Sequence, residues 1–119
     1  MLLTITKKAI EPDIAVLEMK GRIMLGRDCQ EVEWRLDDLL RENRRKVIFD
    51  LTGVNHIDST GIGIVVMCSG KVRKTGGELR VAGASGVVEQ VLKLTKVDQI
   101  VGFYSTVEAA AQDFPNPGA

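Results

Sequence analysis

The stretch Val47-Ile48-Phe49-Asp50-Leu51 constrains the fold more than any other part of the chain. It is nearly continuous in apolar residues, the pattern of a strand covered on both faces and hence of a central parallel strand. Parallel neighbours need long crossovers, usually helical. The flanking sequence supplies them. Asp28, with Glu31 three residues on, forms a capping-box pattern that opens a helix. Val32, Leu36, Leu39 and Leu40 share one face of it, charges cover most of the rest, and Asn43-Arg44-Arg45 closes it with positive charge. After the apolar strand, Thr52 to Ile57 reads as a loop. A second helix then runs from about Ser59 to Lys74, with Ile62, Val65, Val66 and Val72 inward, and Thr75-Gly76-Gly77 ends it.

The remaining elements fit around this centre. Alternation at Leu3, Ile5 and Lys7, a turn at Glu11-Pro12-Asp13 and a second strand from Ile14 to Met19 predict an N-terminal antiparallel hairpin. Gly21 to Arg27 reads as a connector. Glu78 to Ala82 is a further strand, Ser85 caps a third helix bearing Val87, Val88, Val91 and Leu92, and Gln99 to Phe103 is a last edge strand. Ser105-Thr106-Val107-Glu108 is a second capping box, opening an alanine-rich helix. The class is therefore α/β, a mixed four- to five-stranded sheet with about four helices. Its 119 residues suit one domain, placed at 1–113, with 114–119 reading as a flexible tail.

In such sheets binding sites lie beyond the carboxyl ends of the strands. Asn55 to Gly61 is in that place. Within Asp58-Ser59-Thr60-Gly61-Ile62-Gly63, a phosphoryl group on Ser59 would meet the unpaired N–H groups and positive dipole end of the helix. Asp58 is placed to orient the Ser59 hydroxyl, and Gly61 and Gly63 clear the first turn for a partner or nucleotide. Asp, Ser and Thr are also preferred N-caps, so the same segment reads equally well as a helix start with no further role.

Other features weigh less. Sixteen basic and sixteen acidic residues cancel, which removes the usual sign of a nucleic-acid partner. The N-terminus does not read as a signal peptide and no apolar run reaches a membrane-spanning length, so a cytoplasmic protein without membrane insertion is expected. Cys29 and Cys68 form no CxxC pair and read as buried packing residues. Gly70-Lys71 invites a Walker A reading, but Val65 and Val72 occupy positions where that motif needs Gly and Ser or Thr. His56, the single histidine, has no metal-ligand spacing and no third partner for catalysis; it reads as a loop residue that hydrogen-bonds locally or lines a partner surface. No catalytic residue, metal or cofactor is assigned. Arg41, Arg44, Arg45 and Lys46 read as a solvated helix end. Trp34 lies roughly opposite Val32 and Leu36 and is expected to be partly exposed against the hairpin edge; a dimer or partner contact is its sharper reading.

Val47-Ile48-Phe49-Asp50-Leu51, Val54, Ile57-Asp58-Ser59-Thr60-Gly61-Ile62-Gly63 and Gly76-Gly77-Glu78-Leu79 together resemble the STAS domains of bacterial anti-sigma factor antagonists. The resemblance covers essentially the whole chain. It implies a STAS fold and a non-enzymatic binding module. In that family the serine after the aspartate is phosphorylated by a GHKL-type serine kinase that is also an anti-sigma factor, which makes Ser59 the acceptor and His56, Asp58, Thr60, Gly61, Ile62 and Gly63 the switch loop. The unphosphorylated antagonist binds the kinase and frees the sigma factor, and a PP2C-type phosphatase resets it. Sporulation-type members carry an acidic residue where Met24 follows Gly21-Arg22-Ile23 here. A weak homodimer is a further partner left open, and a STAS accessory subunit of a lipid ABC transport complex and a nucleotide- or small-ligand-sensing module are the alternatives.

Overall fold

A computed structural model describes residues 3–115. Met1 and Leu2, and the part of the expected tail from Asn116 to Ala119, lie outside the described residues. The strands are β1 (Thr4–Ile10), β2 (Ile14–Ile23), β3 (Lys46–Ile57), β4 (Glu78–Ala82) and β5 (Gly102–Tyr104). The helices are α1 (Arg27–Arg41), α2 (Ser59–Lys74), α3 (Gly86–Leu94) and α4 (Val107–Ala110), with a single 3₁₀ turn at Val97–Gln99. One five-stranded sheet runs in the order β1-β2-β3-β4-β5. β1 pairs antiparallel with β2, and every other neighbour is parallel. The apolar run that anchors the sequence reading is thus the centre of the sheet, and Val47, Ile48, Phe49 and Leu51 are inaccessible to solvent.

Two strands are longer than the sequence suggests. Gly21–Ile23, expected in a connector, continues β2, and Thr52–Ile57, expected as a loop, continues β3. Their pairing slips between Glu18 and Lys20 and again between Gly21 and Arg22. Such bulges break the two-residue alternation, so buried Val54 and Ile57 stand three apart and look irregular in sequence. Gly21 takes φ 109°, a conformation that L side chains rarely adopt.

The helix starts also shift. α1 is capped by Gly26 at φ 107°, and Asp28 lies inside the first turn without a capping bond, so the expected Asp28 capping box does not form. Ser85 does head α3, but its side chain makes no cap bond there. At α4 the cap is Thr106, whose Oγ1 accepts from the Ala109 N–H at 3.0 Å, rather than Ser105. The last strand begins at Gly102, because Val97–Gln99 forms the 3₁₀ turn.

α1, α2 and α3 pack on one face of the sheet around Leu17, Met19, Phe49 and Leu51. Cys29 and Cys68 are free, buried members of that core, and burial pushes the Cys68 thiol up to about 12. Lys71 ties α2 to α1 through Glu33 at 2.8 Å and Asp37 at 3.0 Å. Ile62 and Val66, expected in the core, are half-buried at its margin, while Cys68 and Ser69 are buried.

The opposite face is covered more thinly. Ile14, Val16, Ile48 and Ala82 pack there against Ala110 of α4. A four-residue helix has little stability of its own, and Arg80 holds it in place. Its Nη1 donates to the carbonyls of Ala110 (3.0 Å) and Gln112 (2.5 Å), and its Nη2 to that of Asp113 (3.2 Å). Its Nε pairs with Glu78 at 2.6 Å, and its guanidinium lies 4.0 Å from the Phe114 ring centroid and 5.1 Å from that of Tyr104. Phe114, which the sequence reading assigned to the tail, is therefore packed on the sheet. Arg80→Ala is expected to cost about 3 kcal/mol in urea denaturation, since it strands buried carbonyls and removes a packed stem. Arg80→Lys should restore little, because an ammonium cannot reproduce the planar fork.

Candidate functional site

β2 and β3 end side by side, with Ile23 opposite Ile57. The chain leaves β2 through Met24, Leu25 and Gly26 into α1, and leaves β3 through Asp58 alone into α2. One side chain joins these exits. Asp58 is the N-cap of α2; its Oδ1 accepts from the Gly61 N–H at 2.8 Å and its Oδ2 from the Leu25 N–H at 2.8 Å. Its own N–H donates to the Ile23 carbonyl at 3.2 Å. The Gly61 and Leu25 amides, with a smaller contribution from that of Thr60, hold the Asp58 carboxyl below its ordinary value. The Met24 carbonyl accepts from Cys29 Sγ at 3.2 Å, fixing the other side of the β2–α1 loop.

The residues singled out from sequence separate into two groups. Asp58, Gly61 and Ile62 build the corner. A Cβ on Gly61 would lie 2.5 Å from the Ile23 carbonyl oxygen and 2.8 Å from Ile57, so this glycine makes room for the fold and not for a partner. Both Asp58 oxygens are held by backbone amides of Gly61 and Leu25, so its first duty is the cap and not the Ser59 hydroxyl. Ser59, Thr60 and Gly63 face outward. Ser59 is the first helical residue and exposed; Thr60 is half-buried at the edge of a groove; a Cβ on exposed Gly63 would meet nothing within 4 Å. His56 is exposed on β3, in register with Arg22 of β2.

The groove beside Thr60 was not anticipated. It is an open depression of about 620 Å³ between the start of α1 and the first turns of α2, its apolar lining provided by Leu25, Trp34 and Ile64. Leu25 is 74% exposed and Trp34 52% exposed. Trp34 thus faces α2 and the β2–α1 loop, where the sequence reading placed it at the hairpin edge. The available signal was Leu25 immediately before Gly26, an apolar residue at a helix entry with no core partner in sequence. From Ser59 to Gly70, α2 carries no charged residue, so the surface between the Ser59 hydroxyl and the groove is neutral. Among the described residues no group of three His, Cys, Asp or Glu is placed to hold a metal ion, and no helix is long and apolar enough to cross a membrane.

Comparisons with known proteins converge on one family. The family described as STAS domain matches residues 6–110. A Thermotoga maritima protein named as an anti-sigma factor antagonist is 31% identical over 104 residues, which cover 87% of this chain and 92% of that protein. A crystal structure of an anti-sigma factor antagonist from Thermotoga maritima superposes with a TM-score of 0.81 at 26% identity, covering 89% of this chain and 90% of the other. The phosphorylated form of the Bacillus cell fate determinant SpoIIAA superposes with a TM-score of 0.70 over 90% of this chain and 96% of the other. At 13% identity that likeness is one of fold.

The cap has a measurable pH signature. Asp58→Ala is expected to cost roughly 1–2 kcal/mol, as losing an N-cap does. Asp58→Asn should cost less, since an amide oxygen still accepts from Gly61 while the Leu25 bond is lost. Because the folded carboxyl titrates below its unfolded value near 3.8, its contribution is complete above that pH and fades as pH falls through the folded value. Urea denaturation of wild type and Asp58→Asn should therefore differ at neutral pH and converge in acid.

Proposed function

The chain belongs to the STAS domain family, and from that premise we propose that it is an anti-sigma factor antagonist switched by phosphorylation at Ser59. The observation that carries the reading is the position of Ser59: exposed at the head of α2, beside an apolar groove, with its helix start already capped by Asp58. A serine needed for capping would have its oxygen engaged. Here Asp58 does that work, and the Ser59 hydroxyl is left facing a partner.

In the unphosphorylated state the neutral surface of Ser59, Thr60 and Gly63, with Leu25 and Trp34, receives a GHKL-type serine kinase that is also an anti-sigma factor, and the sigma factor is released. Transfer places about −1.5 to −2 charge at the start of the helix. Within the chain the first-turn amides and the helix dipole stabilise that charge. Across the interface it must be desolvated against a surface fitted to a hydroxyl, and binding is lost. A PP2C-type phosphatase restores the serine. Met24, next to Leu25, brings an apolar side chain where sporulation-type antagonists bring a carboxylate, so the kinase recognised here is one that does not rely on that charge.

The direct test is intact-mass spectrometry and pull-down with candidate kinases and ATP. Wild type should gain one phosphoryl group, Ser59→Ala none; Ser59→Ala should retain kinase binding and Ser59→Asp should lose it. Equal binding by both variants rules out the switch at this residue. Gly63 supplies a second test. A helical glycine with open space around it costs about 0.5–1 kcal/mol relative to alanine, so Gly63→Ala should raise stability in urea while weakening kinase binding. A variant that is stabilised and binds normally removes Gly63 from the interface.

A further inference from the structure

We propose that the pole of the molecule opposite Ser59 is a docking surface for anionic lipid headgroups. The parallel topology returns α1, α2 and α3 to the amino-terminal ends of the strands, so all three helix ends gather there. The loops touch: the Glu78 N–H donates to the Arg45 carbonyl at 2.9 Å, and Arg73 Nη2 to the Ile100 carbonyl at 3.2 Å. Segments 41–46, 73–78 and 93–98, with the β1–β2 turn 11–13 beside them, hold eight of the sixteen basic residues and five of the sixteen acidic ones. In a chain of zero net charge this pole is therefore basic on balance.

Some of these cations are engaged: Lys46 with Asp13, Arg41 with Asp38 and Lys93 with Glu89. Arg44, Arg45, Lys74 and Lys96 make no ion pair or side-chain hydrogen bond among the described residues. The helix dipole accounts for one cation at each helix end, not for this surplus. Lys96 is also held at φ 64°, a left-handed position after α3 that glycine usually fills. Amid these charges two apolar side chains project into solvent, Leu94 at 74% exposure and Ile100 at 45%.

Charge and apolar side chains together select the partner class. A nucleic-acid backbone would use the cations but gain nothing from Leu94 and Ile100. Protein hot spots favour Trp, Tyr and Arg over Leu, and the aromatic groove lies at the other pole. An anionic bilayer surface uses both features, headgroups pairing with Lys and Arg while Leu94 enters the acyl boundary. Docked in this way, the chain would present Ser59 to the solvent side.

Co-sedimentation with vesicles tests this. The full chain at low salt should pellet with phosphatidylcholine–phosphatidylglycerol vesicles and not with phosphatidylcholine alone, and should be released at about 1 M salt, where screening is nearly complete. The double variant Lys74→Glu/Lys96→Glu should reduce binding roughly tenfold or more. Leu94→Ser should reduce it by a smaller factor, with circular dichroism unchanged because all three side chains are exposed. Ser59→Asp, at the far pole, should bind vesicles as wild type does. Wild-type protein that shows no preference for anionic vesicles, or that binds polyglutamate instead, overturns the lipid assignment. Undiminished binding by the double variant overturns it as well.

Discussion

The carboxylate of Asp58 sits where two strands, two helices and two loops meet, and the geometry of that end of the molecule depends on it. One oxygen starts α2 and the other anchors the β2–α1 loop, so the entries of both helices are referred to a single group. A side-chain cap ordinarily satisfies amides of its own helix. Here it also satisfies an amide from a different crossover, and the two helix starts are held together. The groove between α1 and α2 owes its shape to that bridge, with Gly61 permitting the closeness and Gly26 the turn into α1.

This bridge leaves the hydroxyl of Ser59, one residue away, with no part in capping the helix. A hydroxyl that caps a helix cannot be modified without loosening the helix, whereas Ser59 stands one position inside an already capped end. Under the proposed switch, structural and regulatory duties would fall on adjacent residues of different chemistry, with the acidic neighbour supplying rigidity and the neutral hydroxyl the variable charge.

The architecture was legible where burial alone determines pattern. The apolar run at Val47–Leu51 identified the central strand, and helical spacing identified α1 and α2 to within a turn. Legibility failed where a bulge or a close approach decided the outcome. Lys20, Gly21, Gly53 and Asn55 resemble loop residues, yet they lie in strands whose slipped register only the paired partner reveals. Asp28 and Ser105 have the right chemistry for caps, but Gly26 and Thr106 hold the right backbone positions. The motif around Ser59 could be found in sequence; that Asp58 and Gly61 serve the corner while Ser59 and Gly63 face outward could not, because the distinction lies in contacts to Ile23 and Leu25. Phe114 was unreadable for the same reason, since its partner, Arg80, is a charge buried on the far side of the sheet.

The order of strands in space is the order of strands in the chain. Each strand, as it leaves the ribosome, finds its neighbour already present, and the sheet grows from one edge with nothing to thread or insert. The helix-covered face can close once α3 has emerged. The other face waits for the short helix α4 and for Phe114, so a nascent chain shows Ile14, Val16 and Ile48 to its surroundings until those residues have been made. Arg80, made thirty to thirty-three residues before the carbonyls it binds, is in place to receive them when they arrive.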